Sequence, residues 1–344
     1  MDYSKLSDYD YHLPTELIAQ TPLEQRDESR MLVLNRADGK REHSSFNRLP
    51  DYLQEGDLLV LNNTKVIPAR LTGRIEGKDT SAEILLLHKQ SNGHWVAMVK
   101  PGKKLKPGVK VFLGLGVEAT VEDYGREGLR EISFKASKPV EEIIHCLGSV
   151  PLPPYIETEL KNPDQYQTIY AEVDGSAAAP TAGFHFTEEV FAALAEKGVQ
   201  TAFITLHIGP GTFQPVKAED IREHIMHFEY YSIENKTAAM VNMARQEGKR
   251  VIAVGTTVCR VLETASNSKG RLKGSEEGWT GLYIYPGYEF RAVDAMITNF
   301  HLPRSTLLML VSALAGYDNI LAAYREAVEK KYRFFSFGDC MLIL

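Results

Sequence analysis

The texture of this sequence changes at a proline-rich junction, and that change limits the folds open to it. From about residue 66 to residue 134, short β-rich runs follow one another at 82–87, 95–99, 109–113, 117–122 and 130–134. Gly, Pro and Lys turns separate the runs, and no helical period appears. Closely spaced strands punctuated by turn residues predict a small barrel or sandwich. Val150-Pro151-Leu152-Pro153-Pro154 then stiffens the backbone, because a residue before proline is held extended.

Beyond Tyr155 strands and helices alternate. Helices are predicted over 188–197, 235–247, 257–265 and 305–315, three of them stopped by Gly198, Gly248 and Gly316. Strands are predicted over 201–206, 251–254 and 296–299, and before the barrel over 31–34 and 57–61. Alternation of this kind argues for an α/β domain. The expected architecture is therefore an α/β catalytic domain built from both ends of the chain (1–65 and 151–344), with a β-barrel inserted at 66–150. A length of 344 residues suits two domains. Residues 266–278 are polar and Gly-rich and read as a mobile loop.

Composition removes several classes. The three cysteines, Cys146, Cys259 and Cys340, are widely spaced without a CxxC, so neither a disulfide framework nor a zinc site is suggested. Charged residues run through the first twenty positions, unlike a signal peptide. The longest apolar span, 307–315, is too short to cross a bilayer. A soluble, cytoplasmic, monomeric protein is expected. The formal charge of −6 means that any contact with nucleic acid uses a local patch.

Three predicted strands end in small polar residues rather than in more core. One runs into Gly209, Gly211, Thr212 and Phe213, one into Gly255, Thr256 and Thr257, and one from Asn299 to Ser305. In α/β sheets, ligands bind beyond the carboxyl ends of strands, where helix N-termini present spare N–H groups. Thr256, Thr257 and Ser305 are equally suited to capping their helices. His185, His207 and His301 lie among small residues at loop positions, which suits a proton shuttle. His224 and His227 have the spacing of one helical face, but no third ligand supports a metal pair, and no metal is assigned. Gly114-Leu115-Gly116-Val117-Glu118-Ala119 imitates a dinucleotide fingerprint, yet no helix is predicted after it, so it reads as a turn.

The main basic run is Lys100, Lys103, Lys104, Lys106 and Lys110. Residues 66–150 carry 13 Lys/Arg against 10 Asp/Glu, a local +3. The run is either a solvated hairpin or the phosphate-contacting edge of a tRNA site, to which Arg26 and Arg30 would add.

Several blocks together resemble a known family. They are Pro180-Thr181-Ala182-Gly183-Phe184-His185-Phe186, the run 206–213, Val254-Gly255-Thr256-Thr257, Tyr285-Pro286-Gly287-Tyr288, Thr298-Asn299-Phe300-His301-Leu302-Pro303 and the run 332–339. With residues 62–70, they are similar to the S-adenosylmethionine:tRNA ribosyltransferase-isomerase family of queuosine biosynthesis, from about Tyr11 to Leu344. Asn63, Phe184 and Phe337 depart from that pattern, where aspartate, leucine and tyrosine are usual.

The resemblance implies transfer and isomerisation of the ribosyl group of S-adenosylmethionine onto the 7-aminomethyl-7-deazaguanine wobble base of tRNA. Epoxyqueuosine-tRNA forms, adenine and methionine leave, and the cosubstrate is consumed. A sulfonium acidifies the neighbouring ribose CH₂, so the reaction needs a positioned base, and adenine loss benefits from an acid. His185 and His301 are the expected pair, with Asp339 and Glu229 as reserve carboxylates. The cosubstrate pocket would add Phe213 or Tyr288 as a cation-facing ring, and a helix N-terminus or Arg260 for the methionine carboxylate. An RNA methyltransferase using the same cosubstrate and a non-catalytic RNA-binding protein are the alternatives.

Overall fold

Seventeen strands and seven α-helices form among residues 3–125, 128–158, 160, 162–209 and 216–344, the residues that the computed structural model describes. In chain order the strands are β1 (Arg30–Leu34), β2 (Arg41–Ser45), β3 (Leu58–Asn62), β4 (Thr64–Val66), β5 (Arg70–Ile75), β6 (Ser81–Lys89), β7 (Trp95–Lys100), β8 (Lys110–Gly114) and β9 (Val117–Tyr124). There follow β10 (Arg130–Lys135), β11 (Val173–Ser176), β12 (Gln200–Leu206), β13 (Glu229–Ile233), β14 (Val251–Val254), β15 (Glu276–Thr280), β16 (Ala295–Asn299) and β17 (Cys340–Ile343). The helices are α1 (Leu49–Tyr52), α2 (Val140–Leu147), α3 (Glu188–Glu196), α4 (Asn235–Gln246), α5 (Thr256–Ala265), α6 (Thr306–Ala315) and α7 (Tyr317–Glu329). Two compact units result.

The first unit comprises Met1–Asn63, Pro154–Glu172 and Pro180–Leu344. Its sheet has nine strands in the order β15-β13-β12-β3-β14-β16-β17-β1-β2. The neighbours β12, β3, β14 and β16 are parallel. Every residue of β3, β14 and β16 is buried, which explains their unbroken apolar runs. One face packs Leu59, Leu61, Val254, Ile297 and Leu342 against Phe186 and Leu194. Each such aliphatic side chain contributes about 1.5–3 kcal/mol by burial.

Register then gathers the polar ends. β17 runs antiparallel to β16, with Asn299 opposite Cys340, and parallel to β1, with Met31 opposite Cys340. β13 runs antiparallel to β12, with Leu206 opposite Tyr231. The carboxyl ends of β12, β3, β14 and β16 therefore share one edge with the amino ends of β13, β17 and β1. Gly209, Glu229, Gly255, Asn299, Asp339 and Arg30 all stand on that edge. Helix α5 starts there after Gly255, whose φ of +93° excludes most other residues.

The second unit comprises Thr64–Pro153 and Val173–Ala179. Six strands close in the order β10-β7-β6-β5-β8-β9, and closure removes exposed edges. Leu71, Ile84, Ala97, Val111, Ala119 and Ile132 form its core with Ile143 and Ile144 of α2. β11 pairs parallel with β4, so residues 173–176 return to this unit.

The α/β part and the barrel are as expected. Two local readings need correction, and two elements carry no reading in the sequence. Residues 276–278 belong to strand β15 at the sheet's outer border, although they read as loop. β2 is polar throughout and has no alternation to betray it, because it borders the sheet. Helix α2 carries Val140, Ile143, Ile144 and Leu147 at helical spacing, in a stretch of only eight residues that follows the strands directly. His224 follows a single turn at Ile221–Glu223 with extended backbone, so it shares no helical face with His227.

Gly148 supplies a test of barrel packing. A Cβ there would meet the Pro68 carbonyl oxygen at 1.7 Å and that of Ile144 at 2.5 Å. Gly148→Ala is expected to lower stability by about 3 kcal/mol, read as a shifted urea midpoint.

Candidate active site

His185 follows one tight turn, Thr181–Gly183, that packs on the end of β16. Its Nδ1 is 2.7 Å from Ser29 Oγ, and its Nε2 is 3.2 Å from Asn299 Nδ2. Asn299 Nδ2 also donates to the Phe335 carbonyl at 3.2 Å, while Asn299 Oδ1 accepts from Thr181 Oγ1 at 3.1 Å. A carbonyl can only accept, so it sets the orientation of the amide. His185 Nε2 therefore accepts from Asn299, and Nδ1 carries the hydrogen toward Ser29.

This polarity decides what the histidine can do. Its Nδ1 donates to Ser29 rather than taking a proton from it, so Ser29 is not activated as a nucleophile. The ring is 3% exposed, and burial pushes its pKa down to about 4. A backbone group of Arg26 opposes the shift, and the guanidinium charges of Arg26 and Arg333 reinforce it. The ring is therefore neutral near pH 7, with its basic lone pair on Nε2.

His301 stands two residues beyond Asn299. Its Nε2 is 2.9 Å from Thr298 Oγ1, its N–H donates to Tyr324 Oη at 3.0 Å, and its carbonyl accepts from Tyr11 Oη at 2.5 Å. Burial pushes its pKa down to about 3.

The two carboxylates are engaged in clamps. Asp339, 2% exposed, accepts from Arg30 N at 3.0 Å, Arg30 Nε at 3.2 Å and Arg333 N at 2.8 Å. Arg30 also donates through Nη1 to the Lys330 carbonyl at 2.9 Å, and its guanidinium lies 4.1 Å from the Tyr332 ring centre. Glu229 pairs with Arg260, both almost wholly buried, and accepts from Gly209 N at 3.0 Å. Arg260 Nε donates to the Leu282 carbonyl at 2.9 Å.

The remaining pocket candidates divide by role. Tyr288 Oη donates to Glu263 at 3.1 Å, and Glu263 also gathers the N–H groups of Arg291, Ala292 and Val293. Ser305 caps α6 by accepting from Leu308 N at 3.2 Å. Thr256 and Thr257 are buried in the first turn of α5. Gly211, Thr212 and Phe213 lie outside the described residues. Arg26 donates to the Gln167 carbonyl at 2.7 Å, with its guanidinium 5.5 Å from the Phe184 ring centre. Ser29, Thr181, Phe335 and Arg333 were not singled out from sequence. Ser29 carries no local signal, whereas Thr181, Arg333 and Phe335 lie inside the runs that carry the family resemblance.

In the second unit, Lys100, Lys103, Lys104 and Lys106 are exposed around one turn. Arg130 fixes that turn from below, donating to the Gly102 carbonyl at 2.9 Å and the Leu105 carbonyl at 2.7 Å. Leu105 is fully buried in the barrel core. The lysines thus stand on a pinned backbone.

An α/β sheet with a polar carboxyl edge, a neutral buried histidine there and a separate barrel bearing cations defines a class of two-part protein. The family described as queuosine biosynthesis protein matches residues 6–343. An S-adenosylmethionine:tRNA ribosyltransferase-isomerase of Thermoanaerobacter sp. (strain X514) is 53% identical over 341 residues, 99% of this chain and 100% of that protein. One of the same description from Clostridium kluyveri is 52% identical over 340 residues, 98% of this chain and 99% of that one. The crystal structure of S-adenosylmethionine tRNA ribosyltransferase from Thermotoga maritima matches with a TM-score of 0.56 at 42% identity, covering 98% of this chain and 100% of that chain. The chain belongs to the queuosine biosynthesis protein family.

Two measurements test the electrostatics. Between pH 6.5 and about 4, the unfolded chain protonates His185 and His301 while the folded protein does not. Stability therefore falls with falling pH by about 1.4 kcal/mol per unit for each ring. His301→Gln is expected to remove one such contribution from the slope of urea-unfolding free energy against pH. Glu229→Ala strands the buried Arg260 charge and is expected to cost about 3–5 kcal/mol. Activity per folded molecule that survives this change identifies Glu229 as a clamp.

Proposed function

We propose that this chain transfers and isomerises the ribosyl group of S-adenosylmethionine onto the 7-aminomethyl-7-deazaguanine wobble base of tRNA, forming epoxyqueuosine-tRNA and releasing adenine and methionine. The observation that carries the reading is full-length kinship, at 53% identity, with a ribosyltransferase-isomerase. The cosubstrate is consumed. The protein works as a cytoplasmic monomer, and among the described residues no single helix is long and apolar enough to cross a membrane.

His185 is the proton shuttle in this reading, with His301 as partner. A bound sulfonium makes the adjoining ribose CH₂ acidic, which is the chemistry the cosubstrate supplies. A neutral imidazole with a free-electron-pair nitrogen shared only with Asn299 can take a proton in a site that excludes water. Asn299 and Ser29 orient the ring, and Phe46 covers it with ring centres 5.2 Å apart. Gly209, Gly255, Thr256, Thr257 and Asn299 line the cosubstrate pocket, and Gly211, Thr212 and Phe213, which lie outside the described residues, are assigned to it from sequence alone. Arg260, Glu229, Tyr288, Ser305 and Asp339 support the pocket through the clamps described above.

The inserted barrel, residues 66–150, supplies the tRNA contact through Lys100, Lys103, Lys104 and Lys106. Arg26 and Arg30, in the first unit, spend most of their donors on main-chain carbonyls. The lysines therefore carry the phosphate contacts. Removing three of them is expected to flatten the dependence of log affinity on log salt by about 0.7–0.9 per lost contact.

Mass spectrometry of tRNA and free base after incubation with cosubstrate tests the whole reading. Adenine and an enlarged wobble base are expected. An added methyl group with adenine still on the thioether would identify a methyltransferase, and unchanged tRNA a silent binder. His185→Ala is expected to lower turnover by about 10² or more with tRNA affinity kept. Near-full turnover across pH 6 to 9 would place the shuttle elsewhere.

A further inference from the structure

The segment between α7 and β17 holds a cation that the proposed mechanism leaves unused. Arg333 donates through its backbone N to Asp339 at 2.8 Å and through Nη2 to the Thr21 carbonyl. Its Nη1 is buried and has no hydrogen-bond partner among the described residues. A guanidinium stays charged in proteins, so it cannot escape a dry site by losing its proton. An unmet charged donor costs more than a neutral one. Such a group calls for an acceptor that the described residues do not supply.

Two connections bring this group to the candidate site. Asp339 holds both Arg333 N and Arg30 N, and Ser29, next to Arg30, touches His185. Two residues after Arg333, the Phe335 carbonyl receives Asn299, which touches the other nitrogen of His185. Arg333 is thus tied by both routes to the histidine, close enough for its charge to disfavour the imidazolium.

We propose that Arg333 Nη1 receives the α-carboxylate at the amino-acid end of the sulfonium cosubstrate, an inference that rests on the cosubstrate assigned above. A carboxylate there would satisfy the buried Nη1 through a charge-assisted bond. It would also offset a cation beside His185, so the base gains proton affinity only when the cosubstrate is seated. Arg260, the side chain expected from sequence to meet this anion, is already neutralised by Glu229.

Binding calorimetry on the full-length protein tests the contact without reference to turnover. The probes are S-adenosylmethionine and its decarboxylated analogue. Arg333→Gln is expected to weaken the first by about 10–100-fold and the second by about two-fold or less. Equal losses for the two ligands, or none for either, overturn the proposal. A flattened salt dependence of tRNA affinity with cosubstrate affinity intact assigns Nη1 to a phosphate and overturns it too. If circular dichroism shows that Arg333→Gln does not fold, Arg333→Lys is measured in the same way. It keeps the charge but not the fork, and a selective loss of about 3–10-fold supports the contact, whereas equal losses overturn it. If His185→Ala turns over normally while the selective loss persists, the shuttle has failed and the carboxylate site stands. Wild-type protein that binds neither probe refutes the cosubstrate reading itself.

Discussion

The carboxylate of Asp339 joins three parts of the chain at the functional edge. It holds the first residue of β1, the residue preceding β17 is Asp339 itself, and it receives Arg333 N from the intervening segment. That segment bends at Phe335, whose φ of +72° lies in the left-handed region. An ordinary side chain there costs about 1–2 kcal/mol. The strain persists because neighbouring contacts over-determine it. Phe335 N donates to the Phe300 carbonyl at 3.2 Å, and the Phe335 carbonyl is left facing Asn299. The orientation of one amide, and through it the tautomer of His185, follows from a bend that one buried carboxylate stabilises.

Much of the fold was legible because burial leaves a plain trace. Strands buried on both faces read as apolar runs, as at 58–61 and 251–254, and helices declared themselves by capping and terminal glycines such as Gly198 and Gly248. Polar elements hid. β2 is held by pairing to β1 and by polar side-chain bonds, Arg41 and His43 to Glu326 and His43 to Tyr332, so its residues, Arg41 to Ser45, show no apolar pattern. β15 hid within a Gly-rich stretch for the same reason.

The site was legible as a set of positions and not as a set of partners. Small polar residues after strands marked the correct edge, since parallel strands deliver their carboxyl ends together. The pairings depend on register across distant segments. Nothing near Ser29 announces that it meets His185, 156 positions away. Arg260 and Glu229 looked like a ligand and a base when read apart, and they neutralise each other when folded. The basic turn is the reverse case, because its lysines were visible while Arg130, which fixes their backbone, was only one more cation in the sequence.

The place of β17 has a kinetic consequence. It lies between β16 and β1 rather than at a border, and its contact to Arg30 joins residues 309 positions apart. Closing so long a loop is entropically unfavourable before the contact rewards it, and non-local pairing slows folding. The barrel and the β12–β3–β14 core can form from shorter loops, whereas the Asp339 clamp, the Phe335 bend and the His185 tautomer must wait for this strand to insert. Competence thus arrives in a single late event, and a chain arrested before it would display an α/β sheet with an open seam between β16 and β1, recognisable to proteases and to other strands.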